Sequence, residues 1–223
     1  MIDWDRNDMP ILGPAALRYQ WDGRDGTLAS WMSTLTTGGG AGASYVVANP
    51  ATDKPGVTIT SAAAASATAI LSGPTLDLTK FRAVRFRAMV EMRPAGTSVG
   101  IFQFGLTQQP TPTRGVMFGK LRMDEAYQPT LLRVTAAGSS VLALTHFPYF
   151  QNGKRYDNLG LLVDCVSKDI YLMLGDTVID MWEDVGAALE LGPVTASIRV
   201  ANNSATAEAR SAIVRTFEVE AFV

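Results

Sequence analysis

From Val57 to the C-terminus, short apolar and β-branched runs alternate with clusters of turn-forming residues, the pattern of an antiparallel sheet protein. In Val84-Arg85-Phe86-Arg87-Ala88-Met89-Val90-Glu91, the residues Val84, Phe86, Ala88 and Val90 fall on one face and Arg85, Arg87 and Glu91 on the other. That period of two is what a half-buried strand requires. Further strands are predicted at 99–106, 115–121, 130–135, 141–145, 159–165, 170–174 and 178–181. Their ends are set by Pro94-Ala95-Gly96, Pro110-Thr111-Pro112, Ala137-Gly138-Ser139-Ser140, Asn152-Gly153 and Gly175-Asp176, residues that stop strands. Two long alternating segments close the chain, one carrying Val194, Ala196, Ile198 and Val200, the other Ile213, Phe217, Val219, Ala221 and Val223. Several runs, such as Val99-Gly100-Ile101-Phe102-Gln103-Phe104 and Leu159-Gly160-Leu161-Leu162-Val163, are apolar on both faces, as in sheets covered on both sides. The predicted fold is two antiparallel sheets packed face to face, with Val84, Phe86, Val90, Leu161, Val163, Ile198, Val200, Phe217 and Val219 pointing inward.

Two short helices are predicted as decorations, over Thr27 to Leu35 and Trp182 to Leu191, the second acidic at its start with Glu183 and Asp184. The first 55 residues differ from the rest. Pro10, Pro14, Gly23, Gly26, Gly38, Gly39, Gly40, Gly42 and Pro50 break every run, yet three of the four tryptophans, Trp4, Trp21 and Trp31, lie there. The chain therefore divides into an irregular N-terminal arm, 1–55, and a sandwich domain, 56–223. The tryptophans of the arm offer large apolar contact area to the protein's own core or to a neighbouring chain.

Composition narrows the chemistry. Lysine and arginine total 19 and aspartate and glutamate 21, a net charge of −2, so no global attraction to nucleic acid or to an anionic membrane is expected. Charged residues are 18% of the chain, below the roughly 25% usual for soluble domains, which favours self-association or assembly. One cysteine, Cys165, and one histidine, His146, exclude an internal disulfide and a zinc site of cysteine and histidine ligands. The N-terminus has no basic region followed by an apolar stretch, and no window approaches the length of a membrane span, so synthesis in a host cytoplasm without a signal peptide is expected.

The pair of segments Phe81 to Ala88 and Val99 to Leu106, and the later pair Asp157 to Asp164 and Ile170 to Asp176, resemble the concanavalin A-like and laminin-G-like jelly rolls. Over roughly 57–223 the resemblance implies a jelly-roll sandwich. The whole also resembles tailed-bacteriophage virion proteins, which carry such sandwiches on head or tail surfaces.

The motifs that could carry catalysis are incomplete. Gly96-Thr97-Ser98-Val99-Gly100 matches the nucleophile elbow, but a strand rather than a helix follows it. Jelly-roll glycosidases of similar fold carry E-x-D-x-E on one strand, whereas Phe217-Glu218-Val219-Glu220 lacks the middle aspartate and the third carboxylate, and a solvated face accounts for Glu218 and Glu220. Asp3-Trp4-Asp5-Arg6-Asn7 begins like a calcium loop but lacks its glycine and glutamate, and Asp22-Gly23-Arg24-Asp25-Gly26 reads first as a turn. Gly38-Gly39-Gly40-Ala41-Gly42 has no following lysine for a phosphate loop, and Asn202-Asn203-Ser204 is only formally a glycosylation sequence. Arg85 and Arg87 make a small basic stripe, read as a solvated face or as protection of a strand edge.

The segment from His146 to Asn158 mixes aromatic faces with amide and charged groups, a composition suited to a binding loop and equally to anchoring a long hairpin. The interaction residues expected are Trp4, Trp21, Trp31, Tyr149, Phe150 and Tyr156. No catalytic residue, metal ligand or cofactor is expected. The sequence reads as a non-enzymatic bacteriophage virion structural protein, a decoration or attachment subunit of the head or tail surface. It would be homo-oligomeric and bound to capsid or tail subunits, with no nucleic acid or membrane as partner. The alternative is a soluble, lectin-like carbohydrate-binding module that holds a surface glycan with the 146–158 loop.

Overall fold

The structure is a computed structural model, and it describes residues 12–38, 44–47, 55–93, 100–108, 115–120, 130–135, 138–144, 157–183, 191–202 and 209–223. These residues form two antiparallel sheets packed as a sandwich. The eight-stranded sheet holds β1 (Leu17–Asp22), β3 (Ser44–Val47), β4 (Val57–Thr60), β6 (Ala83–Arg93), β11 (Asp157–Asp164), β12 (Ile170–Leu174), β13 (Thr177–Trp182) and β15 (Ser211–Phe222). Its order is β13-β12-β11-β6-β15-β4-β3, with β1 also pairing β15. The seven-stranded sheet holds β2 (Ser33–Thr37), β5 (Thr68–Asp77), β7 (Gly100–Thr107), β8 (Gly115–Lys120), β9 (Thr130–Thr135), β10 (Gly138–Leu144) and β14 (Pro193–Asn202), in the order β10-β9-β8-β7-β14-β5-β2.

The inner faces follow from the period of two. Val84, Phe86, Val90, Leu161, Val163, Ile198, Val200, Phe217 and Val219 are all completely buried, as their alternation requires. Phe86 of β6 stacks on Phe104 of β7 with ring centroids 4.2 Å apart, so one aromatic pair ties the two sheets together at mid-core. Phe217 lies 4.7 Å from Phe86, Trp31 lies 6.0 Å from Phe217, and Tyr19 lies 5.6 Å from Trp31, continuing the aromatic contacts toward the N-terminal strand. Room for the Phe217 ring is left by Gly73 of β5, where an added Cβ would meet its Cε1 at 2.4 Å.

The first 55 residues are not an irregular arm over the part described. Three strands come from them, and all three are built into the sandwich: β1 pairs β15 from Leu17↔Ala221 to Asp22↔Thr216, β2 pairs β5, and β3 pairs β4. The helix expected at Thr27 to Leu35 is absent. A turn in which the Met32 N–H donates to the Ala29 carbonyl leads straight into β2, where Thr34, Thr36 and Thr37, poor helix formers, take up backbone bonds from β5. The second expected helix also loses its first residue to a strand, since Trp182 ends β13 opposite Ile170, and residues 184–190 lie outside the described residues. Gly138-Ser139-Ser140, expected as a turn, opens β10 instead and pairs with β9.

The turn chemistry elsewhere is as expected. Asp22 Oδ1 accepts from the Arg24 N–H at 3.0 Å, and Gly26 closes the turn at φ 69°, a left-handed conformation that glycine adopts without strain. Between β11 and β12, Asp164 Oδ1 accepts from the N–H groups of Val166 and Ser167 at 2.8 and 3.1 Å.

Candidate functional site

The two outer faces of the sandwich differ in chemistry. On the eight-stranded sheet, β6 and β15 lie in register with Arg87 opposite Glu218 and Arg85 opposite Glu220. Arg85 Nε donates to Glu220 at 2.8 Å, Arg87 Nη1 donates to Asp176 at 2.6 Å, and Arg18 of β1 donates to Glu218 at 2.6 Å. Arg87 also bridges Glu218. The basic stripe and the paired glutamates of the sequence are thus two halves of one ion-pair ladder, and the glutamate side chains are only 13% and 8% exposed. They are less solvated than a plain outer face. Beside the ladder lies a second apolar cluster of Ala83, Leu162, Tyr171, Met173 and Phe222, against which Leu12 and Ala15 pack. Carboxylates locked between guanidinium groups are occupied in binding strands together.

The centre of the outer face of the seven-stranded sheet, along β7 and β14, carries mainly polar groups and few charges. At its centre β14 pairs β7 with Thr195↔Thr107, Ser197↔Gly105 and Arg199↔Gln103, and pairs β5 with Thr195↔Thr75, Ser197↔Ser72 and Arg199↔Ile70. Residues between these pairs, such as Ile198 and Phe104, point into the core, so Thr195, Ser197, Arg199, Gln103, Gly105 and Thr107 point outward. Gln103, Thr107, Thr195 and Ser197 are nevertheless buried, whereas Arg199 is only partly so. Arg199 Nη1 donates to Gln103 Oε1 at 3.2 Å, and the Thr75 and Thr195 hydroxyls are 2.7 Å apart. The outward positions 103, 105 and 107 of β7 and 195, 197, 199 and 201 of β14 carry amide, guanidinium, hydroxyl and small groups and no carboxylate. Burial lowers the pKa of Arg199, since desolvation disfavours its charged form. Such a surface donates and accepts hydrogen bonds but holds no pair of acids for acid–base work.

The residues singled out in the sequence are distributed differently. Trp21 is 1% exposed, with its indole N–H donating to the Thr27 carbonyl at 2.8 Å, so it belongs to the protein's own core and is closed to an intermolecular contact. Trp31 is partly buried against Phe217 and Tyr19. Trp4, Tyr149, Phe150 and Tyr156, with Ser98 and His146, lie outside the described residues. Cys165 is buried, its thiol pushed up to about 12 by desolvation and by the charge of Asp164. Asn202 of the formal glycosylation sequence is 1% exposed at the end of β14. Gln103 and Arg199 were not among the expected site residues. Their signal was a lone polar residue at alternating positions of otherwise apolar runs, Ile101-Phe102-Gln103-Phe104 and Ala196-Ser197-Ile198-Arg199-Val200.

No family model matches the chain, and no curated protein matches its sequence. Solved structures do share its architecture, that of a jelly-roll sandwich. The carbohydrate recognition domain of Emp47p is 12% identical with a TM-score of 0.63, covering 88% of this chain and 90% of that one. Apo Crh5 transglycosylase is 11% identical with a TM-score of 0.62, covering 96% and 88%. The CBM2 module of the evolved Dit of Lactobacillus casei BL23 phage J-1 is 12% identical with a TM-score of 0.59, covering 92% and 94%. This fold is therefore used by binding domains and by enzymes, and at such identities the likeness concerns the fold alone.

Proposed function

We propose that the protein is a non-catalytic, glycan-binding surface subunit of a tailed-bacteriophage virion. The observation that carries this reading is the acid-free, hydrogen-bonding row of outward residues on β7 and β14, with the partly exposed Arg199 in it. Saccharides present many hydroxyl groups, and a surface of amide, guanidinium and hydroxyl groups on rigid strands suits them. Glycoside hydrolysis usually needs two carboxyl groups flanking the scissile bond. Here Glu218 and Glu220 lie on the opposite sheet and are bound to arginines. Two features favour a virion setting, the low charged fraction of the chain and the sharing of its fold by the CBM2 module of the evolved Dit of a phage.

The test has two arms. The purified protein is screened on an array of bacterial surface glycans, with release of reducing ends measured in parallel, and phage particles are assayed for this chain and its copy number. Saccharide binding without cleavage, and a fixed copy number on particles, are expected. Cleavage of a bound glycan overturns the non-catalytic reading, absence of any glycan binding overturns the binding role, and absence from particles overturns the virion role.

A further inference from the structure

Arg199 stands apart from the other arginines whose pairing is described. Arg18, Arg85 and Arg87 each face a carboxylate within hydrogen-bond distance. Arg199 faces the neutral amide of Gln103, and its Nε is buried without a hydrogen-bond partner. No carboxylate occupies the outward positions beside it, which hold Ile70 and Ser72 on β5, Ser197 on its own strand, and Gln103 and Gly105 on β7. A partly desolvated cation with no counter-charge among the described residues is costly, and removing the charge would be the simpler solution if packing were its only role.

The geometry of the guanidinium indicates what is missing. Gln103 takes Nη1, which leaves the edge made by Nε and Nη2. Two adjacent N–H groups in a plane are the fork that binds a carboxylate or phosphate through two parallel bonds. Small neighbours lie along the adjacent row, where Ser72, Ser197 and Gly105 stand in register. We propose that the outer face of the seven-stranded sheet takes an acidic glycan, and that the Nε and Nη2 edge of Arg199 binds its oxyanion while Gln103 holds the guanidinium in place. This proposal rests on the glycan-binding reading above and adds the class of saccharide. The oxyanion is either the carboxylate of a uronic acid or the phosphate of a sugar or polyol phosphate, since both match the same fork.

The experiment compares wild type, Arg199→Gln and Arg199→Lys by titration calorimetry against oligogalacturonate, its methyl ester, a glycerol phosphate oligomer and a panel of neutral oligosaccharides, with the melting temperature of each variant measured alongside. Wild type should bind at least one of the two anionic ligands about 10-fold or more tightly than the neutral ester, the order of effect expected of a charge-assisted hydrogen bond. Arg199→Gln should lose that preference without a fall in melting temperature, and Arg199→Lys should lose most of it because the fork is gone although the charge remains. Which anion binds distinguishes carboxylate from phosphate. Equal binding of acidic and neutral saccharides, or a preference that survives in Arg199→Gln, overturns the acidic-glycan proposal and leaves glycan binding intact. A large fall in melting temperature with unchanged anion preference makes Arg199 a structural residue and also overturns the proposal. Failure of every saccharide to bind overturns both readings.

Discussion

Arg87 on β6 and Glu218 on β15 stand directly opposite one another in the eight-stranded sheet, joined side chain to side chain although 131 residues separate them along the chain. Arg87 reaches Asp176 with its other terminal nitrogen, and Glu218 accepts from Arg18 of β1. One carboxylate therefore links three strands, of which β1 holds the N-terminal segment to the sheet.

Replacing Glu218 by alanine should lower the unfolding free energy by about 1–3 kcal/mol, because Arg18 and Arg87 both lose a carboxylate in a partly buried setting. Arg18→Ala should cost less than Glu218→Ala, since that side chain is 54% exposed and its pair is screened. Urea denaturation of both variants checks the ranking, and equal losses would remove Glu218 from the centre of the ladder.

Trp21 extends the same reasoning into the core. Its burial on β1, and that of Met32 just before β2, make the N-terminal segment part of the folding unit. Deletion of residues 1–35 is expected to leave an unfolded or aggregating chain rather than a stable sandwich, and Trp21→Ala is expected to cost about 3–5 kcal/mol. Circular dichroism and thermal melting of both proteins decide the matter. A truncated chain that melts cooperatively near the wild-type temperature would show the first strand to be dispensable.

Gly73 offers a sharper packing test. Alanine there places a methyl group against the Phe217 ring, which must then move away from Phe86 or distort β5. A loss of about 1–3 kcal/mol is expected. Combining it with Phe217→Leu, which makes room, should cost less than the sum of the two single changes.

The pH dependence has a definite sign above neutrality. Desolvation raises Cys165 to about 12 from 9.0, and raises Tyr171 to about 12 from 10.0 with help from Asp169 and Asp164. Both groups keep their protons in the folded protein beyond the pH at which the unfolded chain gives them up. Their contribution to stability is therefore complete below about pH 9 and falls as pH rises from there to about 12. The thiol of the native protein should also react slowly with a disulfide reagent at pH 8 and fast once unfolded. Rapid labelling of the native protein, or a stability profile flat to pH 11, would contradict the burial of these two groups.

Much of the sandwich was legible in the alternation of single strands. Wherever a segment buries one face, as 84–91 does, side chains must alternate in and out, and the residues assigned to the core from that rule are buried. Strands β1, β2 and β3 escaped the same rule because they are short stretches flanked by glycine and proline, and threonine dominates β2. Their order comes from hydrogen bonds offered by β15, β5 and β4, strands that lie later in the chain. A short threonine-rich stretch has little apolar area to declare its conformation, so an available sheet edge decides it.

The candidate site shows the same division. Local pattern alone determined that Gln103 and Arg199 point away from the core, because each sits between inward apolar neighbours. It likewise determined that Glu218 and Glu220 share a face. Only the tertiary structure decided that β7 lies beside β14, which brings Gln103 and Arg199 within 3.2 Å across 96 residues, and that β15 lies between β6 and β1, which surrounds the glutamates with arginines. The physical reason is that the alternation of side chains is a property of one strand, whereas the neighbour across the ladder is chosen by the packing of all strands together.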